Sequence, residues 1–107
     1  MRYDIILSAE AQDDFQALKA NIRATIRDAM EHFLRYQPTK ISKSRIKRLH
    51  GFVRPQFRLR VADMRVFYDV TETTVEVLAI VTKRDAEAWL ERIGERDEAD
   101  TAFGTEE

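Results

Sequence analysis

The chain has 107 residues, 44 % of them apolar, with three glycines, two histidines and no cysteine. That suffices for one domain with a modest core, excludes a disulfide framework or a thiolate nucleophile, and includes no apolar run near the ~18 residues of a membrane span. The formal net charge of −1 conceals an uneven distribution: residues 91–107 carry seven acids against Arg92 and Arg96, leaving residues 1–90 with a net charge of +4.

The first residues turn acidic after three consecutive apolar ones, too few for a secretory signal. The expectation is a cytoplasmic protein with no membrane partner. Residues 3–7 (Y-D-I-I-L) predict an opening strand. Ser8 offers an N-cap and Glu10 suits the first turn of a helix. Apolar residues then recur at Ala11, Phe15, Leu18, Ile22, Ile26, Ala29, Met30 and Phe33, which is helical spacing. With Asn21 as a second cap this becomes a hairpin of helices over 9–19 and 22–36; the same stripe also fits one continuous helix. Pro38 ends the helical stretch.

Residues 39–54 predict a basic loop anchored by Leu49 and turned at Gly51. Beyond Pro55 the period changes to two: Phe57, Leu59 and Val61 share one face, Arg58 and Arg60 the other. Ala62 and Asp63 make a tight turn, residues 64–70 a second strand, and the β-branched run 75–82 an interior strand. Asp85 is placed to cap a last helix whose Ala86, Trp89, Leu90 and Ile93 fall on one stripe, with Gly94 at its end. The expected fold is α+β. It has the order β-α-α-β-β-β-α, with a small antiparallel sheet, a two-helix hairpin packed on one face and a short C-terminal helix. Residues 1–94 form the domain and 95–107 an acidic tail. That tail is either solvated or an intramolecular shield over the basic face.

Charge is what points to function. Between Arg35 and Arg65 stand ten basic residues and one acid, Asp63. Lys40, Lys43, Arg45, Lys47, Arg48 and Arg54 precede the paired Arg58 and Arg60, and Arg65 follows across the turn. Lys83 and Arg84 leave the last strand and can close the patch. A single arginine here would be a solvated cation paired with Asp63, Asp69 or Glu76. Three facing one way point to a site for a polyanion, because guanidinium forks fit phosphate oxygens and stabilise developing phosphoryl charge. His50, beside Gly51, is the natural group for proton transfer. Tyr68 and Trp89 fall on apolar faces and predict core positions. No HExxH, glycine-rich phosphate loop or GxSxG occurs. Two histidines are too few for a metal centre, so neither a metal nor a cofactor is expected.

Three segments carry a family resemblance: RLHGFVRPQFRLRV at 48–61, MRVFYDV at 64–70 and VEVLAIVTKRDAEAW at 75–89. In this order and spacing they resemble the RelE/ParE superfamily of toxins from bacterial type II toxin–antitoxin pairs, over about residues 1–90. The resemblance implies a cognate antitoxin as partner. For RelE-like members it implies cleavage of mRNA on the ribosome, with the 2′-hydroxyl attacking the adjacent phosphate to leave a 2′,3′-cyclic phosphate. Carried onto this chain, Arg58 and Arg60 match the family's basic pair, Arg65 the arginine after the turn, and Arg84 (or Lys83) the basic residue ending the last strand. Lys40, Lys43, Arg45, Lys47, Arg48, Arg54 and Lys83 would contact RNA. Two features differ from the pattern. Arginine replaces the usual lysine pair and, staying protonated, is a poor general base. Trp89, near the family's tyrosine, has no hydroxyl. A ParE-like inhibitor of DNA gyrase needs neither group, and a non-toxic member would need only the basic face.

Overall fold

The computed structural model describes residues 1–97. The chain opens with strand β1 (Asp4–Leu7) and helix α1 (Ala9–Gln16), the latter capped by the Ser8 hydroxyl, which accepts from the Ala11 N–H at 3.1 Å. Helix α2 (Ala20–Leu34) completes the hairpin, so the stripe is broken into two helices. The break comes earlier than Asn21 predicts. Lys19 occupies the cap position without a side-chain bond, and Asn21 falls in the first turn. The linker is held instead by Arg23, whose guanidinium donates to the Leu18 carbonyl at 2.8 Å and the Gln16 carbonyl at 3.3 Å. Backbone groups left over at a helix end need such partners.

The sheet has the order β1-β6-β5-β4-β2, with β2 (Ile46–Arg48) at one edge and β4 (Phe57–Val61), β5 (Met64–Val70) and β6 (Thr74–Thr82) antiparallel through tight turns, as the alternation predicts. It is mixed, however. β1 runs parallel to β6, pairing Asp4 with Thr74; the chain reaches β6 only after both helices and four more strands. The basic stretch expected as a loop contains two short strands, β2 (Ile46–Arg48) on the sheet edge beside β4 and β3 (Phe52–Arg54). Three residues with only Ile46 buried give too little alternation to be read from sequence.

One sheet face packs on the helical hairpin. Leu59, Val61, Val66, Tyr68, Val75, Val77 and Ile80 meet Ala11, Ile26, Met30 and Leu34 there. Tyr68 is fully buried and donates its hydroxyl to the Pro38 carbonyl at 2.6 Å. Burial pushes that hydroxyl well above its ordinary range. The opposite face is shared. Helix α3 (Lys83–Ile93) lies on it, with the Trp89 ring stacked on Phe67 at 5.0 Å and its indole N–H donated to Glu10. Ala79, Leu49 and Leu90 complete this second cluster, which makes Leu49 the anchor its sequence position suggests.

The start of α3 differs in detail from expectation, while Gly94 ends it as expected. Its cap is Thr82, whose hydroxyl accepts from the Asp85 N–H at 3.2 Å, and Asp85 sits in the first turn. The helix therefore starts at Lys83, which fixes the directions of Lys83 and Arg84. Gly94 ends the helix in extended backbone; a Cβ there would lie 2.6 Å from the Leu90 carbonyl oxygen and 2.7 Å from the Phe52 ring. Close approach requires this glycine. Beyond it β7 (Glu95–Arg96) pairs with β3, and the Asp97 N–H reaches the Gly51 carbonyl at 2.9 Å. The expected tail thus begins as a strand. Residues 98–107, on which the shield would depend, lie outside the described residues.

Candidate functional site: a cationic groove between α3 and the β2–β3 turn

Residues directly opposite in an antiparallel pair share a face. Lys47 stands opposite Arg58, Arg58 opposite Phe67, and Arg60 opposite Arg65. All five lie on the α3 side of the sheet. Between α3 and the turn after β2, Arg58, Arg65 and Phe67 form the floor of an open groove of about 370 Å³. One wall is α3, presenting Lys83, Ala86, Glu87 and Leu90, which are spaced i, i+3, i+4, i+7 and so share a helix face. The other wall holds Lys47, Arg48, Leu49 and His50. Arg48 also lies over the Phe57 ring, 5.4 Å from its centroid.

Arg65 is 6 % exposed, and its Nη1 donates to the Ala62 and Met64 carbonyls at 3.0 and 2.9 Å. The hairpin turn thereby fixes the guanidinium in place. Arg58 is half-buried, and its Nε is buried with no hydrogen-bond partner among the described residues. Burial first, then the neighbouring Arg65 and Arg60 charges, hold the Arg58 guanidinium below its ordinary value. Burial and Arg60 act in the same direction on Arg65, with Asp63 opposing. Among the described residues none of Arg58, Arg60, Arg65, Lys47 or Lys83 forms an ion pair. A desolvated cation beside like charges costs free energy, and an anion in the groove would remove that cost.

Two of the three acids expected to neutralise this cluster, Asp69 and Glu76, are engaged elsewhere. Asp69 pairs with Arg54 at 2.9 Å and accepts the Gln56 N–H, and Glu76 lies 4.0 Å from Arg54. Arg54 is therefore removed from the groove as a free cation. Arg45 rests over the Phe33 ring at 5.2 Å and donates to the Arg60 carbonyl. Arg60 itself is exposed and lines a separate cleft with Arg45, Ser44 and Thr25. Lys40 lines another cleft beside His32 and Phe33, while Lys43 is exposed on the loop. Arg84 is exposed and lies off the groove face of α3, where Lys83 takes its place.

The sequence-predicted set thus divides. Arg58, Arg65, Lys47, Arg48, His50 and Lys83 converge, whereas Arg60, Arg84, Arg54, Arg45, Lys40 and Lys43 stand apart from the groove. Glu87 and the aromatic floor at Phe67 were missed. Glu87 was readable, because it lies one turn beyond Lys83 and must share its face.

Residues 5–96 match the family model described as ParE toxin of type II toxin–antitoxin system, parDE. The chain belongs to this family of toxins. It lies within the RelE/ParE superfamily that the sequence segments resemble. No curated protein matches it. Among solved structures it is similar to the RelBE2 toxin–antitoxin complex of Mycobacterium tuberculosis, with a TM-score of 0.66 at 21 % identity over 77 % of this chain and 99 % of that one. The RelE–RelB complex of Pyrococcus horikoshii OT3 gives 0.63 at 21 % identity, covering 78 % and 97 %. YafQ from Escherichia coli gives 0.59 at 14 %, covering 79 % and 98 %. At these identities the likeness is one of fold. No helix among the described residues is long and apolar enough to cross a membrane.

Proposed function

We propose that this ParE-family toxin acts in the cytoplasm as a ribosome-dependent mRNA endonuclease held in check by a cognate antitoxin. The supporting observation is the unpartnered, half-buried Arg58 on the floor of a groove that also presents Arg65, Lys47 and Lys83 without ion-pair partners among the described residues. A phosphodiester supplies the missing acceptor oxygens. Arg65, fixed by the turn carbonyls, and Arg58 would hold the scissile phosphate. They would also stabilise the extra charge that develops when the 2′-hydroxyl attacks it. Lys47 and Lys83 add charge from the two walls, and His50 at the rim is available for proton transfer. Arg60, Arg45 and Lys40 would contact flanking RNA backbone. The antitoxin would bring acids to the groove and apolar anchors to its rim.

The test is induction of this chain alone in bacteria, followed by primer-extension mapping of an abundant mRNA. New 5′ ends inside translated codons, lost in Arg58→Ala and Arg65→Ala, are the expected result. A second reading, inhibition of DNA gyrase, is favoured by the permanently protonated arginines at the family's lysine positions, which can dock on a protein but not abstract a proton. It predicts growth arrest with intact mRNA and loss of supercoiling activity in vitro. No arrest and no cleavage would leave a non-toxic member that keeps the basic face for contact.

A further inference from the structure

Glu87 is the one carboxylate among the described residues that line the cationic groove, and it is exposed there. It forms no ion pair or hydrogen bond among the described residues, although Lys83 stands one helical turn before it on the same face. An acid left unpaired in a basic groove weakens the very field that attracts a polyanion. A solvated helix surface would tolerate it anywhere; in a site for phosphate it is a ready proton acceptor. The floor lacks such a group, because its arginines do not give up protons.

We propose that Glu87 is the general base of this groove, taking the proton from the attacking 2′-hydroxyl of the RNA. The inference rests on the nuclease assignment above. Sheet order supports it. α3 packs over β5 and β6, whereas β2 and the turn after it lie beyond β4, so the two walls flank Arg58 and Arg65 from opposite sides. In-line displacement at phosphorus requires the proton acceptor and the proton donor on opposite sides of the phosphate. In the step, the Glu87 carboxylate takes the 2′-hydroxyl proton as the 2′-oxygen forms its bond to phosphorus. The bond from phosphorus to the 5′-oxygen breaks, and that oxygen takes a proton from the Lys47 ammonium across the groove. The products are a 2′,3′-cyclic phosphate and a free 5′-hydroxyl; no oxidant, metal or further reactant enters.

The experiment compares wild type with Glu87→Gln, an isosteric change at an exposed position, on purified ribosomes programmed with a short mRNA. Two quantities are read. One is the single-turnover cleavage rate. The other is affinity for the same complex carrying a 2′-deoxy nucleotide at the cleavage position, which cannot react. Glu87→Gln is expected to lower the rate by about 10²-fold or more and to leave affinity unchanged or tighter. Cleavage at the wild-type rate would overturn Glu87 as the base while leaving the nuclease assignment intact. A loss of affinity matching the loss of rate would make Glu87 a docking contact and also overturn it. Wild-type protein that fails to cleave would remove the nuclease assignment, and the base with it.

Discussion

The two faces of the β4–β5 hairpin are built from alternate residues of the same strands, yet they differ in how they treat a half-buried charged group. On the helical-hairpin side, Asp14 has its carboxylate met by the Ile80 N–H at 2.9 Å. The large side chains that fill this face are apolar or, like Tyr68, hydrogen-bonded. On the α3 side, Arg58 is desolvated beside two more arginines and its Nε has no partner among the described residues. A polar group that is satisfied within the fold contributes to stability, whereas one left unsatisfied destabilises it. The difference teaches that one face is finished by folding and the other is completed only by what binds to it.

Three substitutions sharpen that contrast. The largest expected loss of stability is Leu59→Ala. Leu59 is fully buried opposite Val66 and Ile46, and its truncation should cost about 2–5 kcal/mol in urea unfolding. A cost below about 1 kcal/mol would mean that the hairpin-side face collapses easily and is not the rigid half. Arg58→Met should do the reverse. It keeps an apolar stem and removes an unpaired, desolvated charge, so the unfolding midpoint should hold or rise while mRNA cleavage falls by about 10²-fold. A clear drop in the midpoint would show that Arg58 is structural.

Asp14→Asn is the smallest effect. Burial first, then Glu10 and Asp13, raise the Asp14 carboxyl above its ordinary value of 3.8, with the Ile80 N–H opposing. The native state therefore holds this proton more tightly than the unfolded chain does. That contribution to stability is full at low pH and is lost as pH rises above 3.8 through the folded value. Asparagine cannot ionise and can still accept from Ile80. The variant should be modestly more stable than wild type at neutral pH, and the gain should shrink on acidification. A gain independent of pH would point to a cause other than this carboxyl.

Sequence carried the hairpin and its charge well, because alternation is local: Arg58 and Arg60 against Phe57, Leu59 and Val61 can be read from five residues. It also placed Leu49, Tyr68 and Trp89 in the interior. What it left open depends on partners distant in the chain. The parallel pairing of β1 with β6 joins residues about 70 positions apart. Arg54 looked like one more free cation until folding set it against Asp69 and Glu76. The choice between Lys83 and Arg84 turned on a single residue of helix start, and Thr82 rather than Asp85 decides it. The α3 side of the sheet is only partly open, because the stripe of α3 is apolar enough to cover Phe67 and leaves only the edge beside it for charge.

Trp89 is the only tryptophan in the chain. It is 3 % exposed, stacked nearly parallel on Phe67 and held by Glu10. Its emission is therefore an unlabelled optical signal of whether α3 still sits on the sheet. A ligand that enters the groove and leaves the helix seated should barely change the emission maximum or its quenching by acrylamide. A partner that lifts α3 should shift the maximum to the red and open the indole to quencher. Titrating one cuvette of wild-type protein with each in turn would separate filling the groove from dismantling its wall.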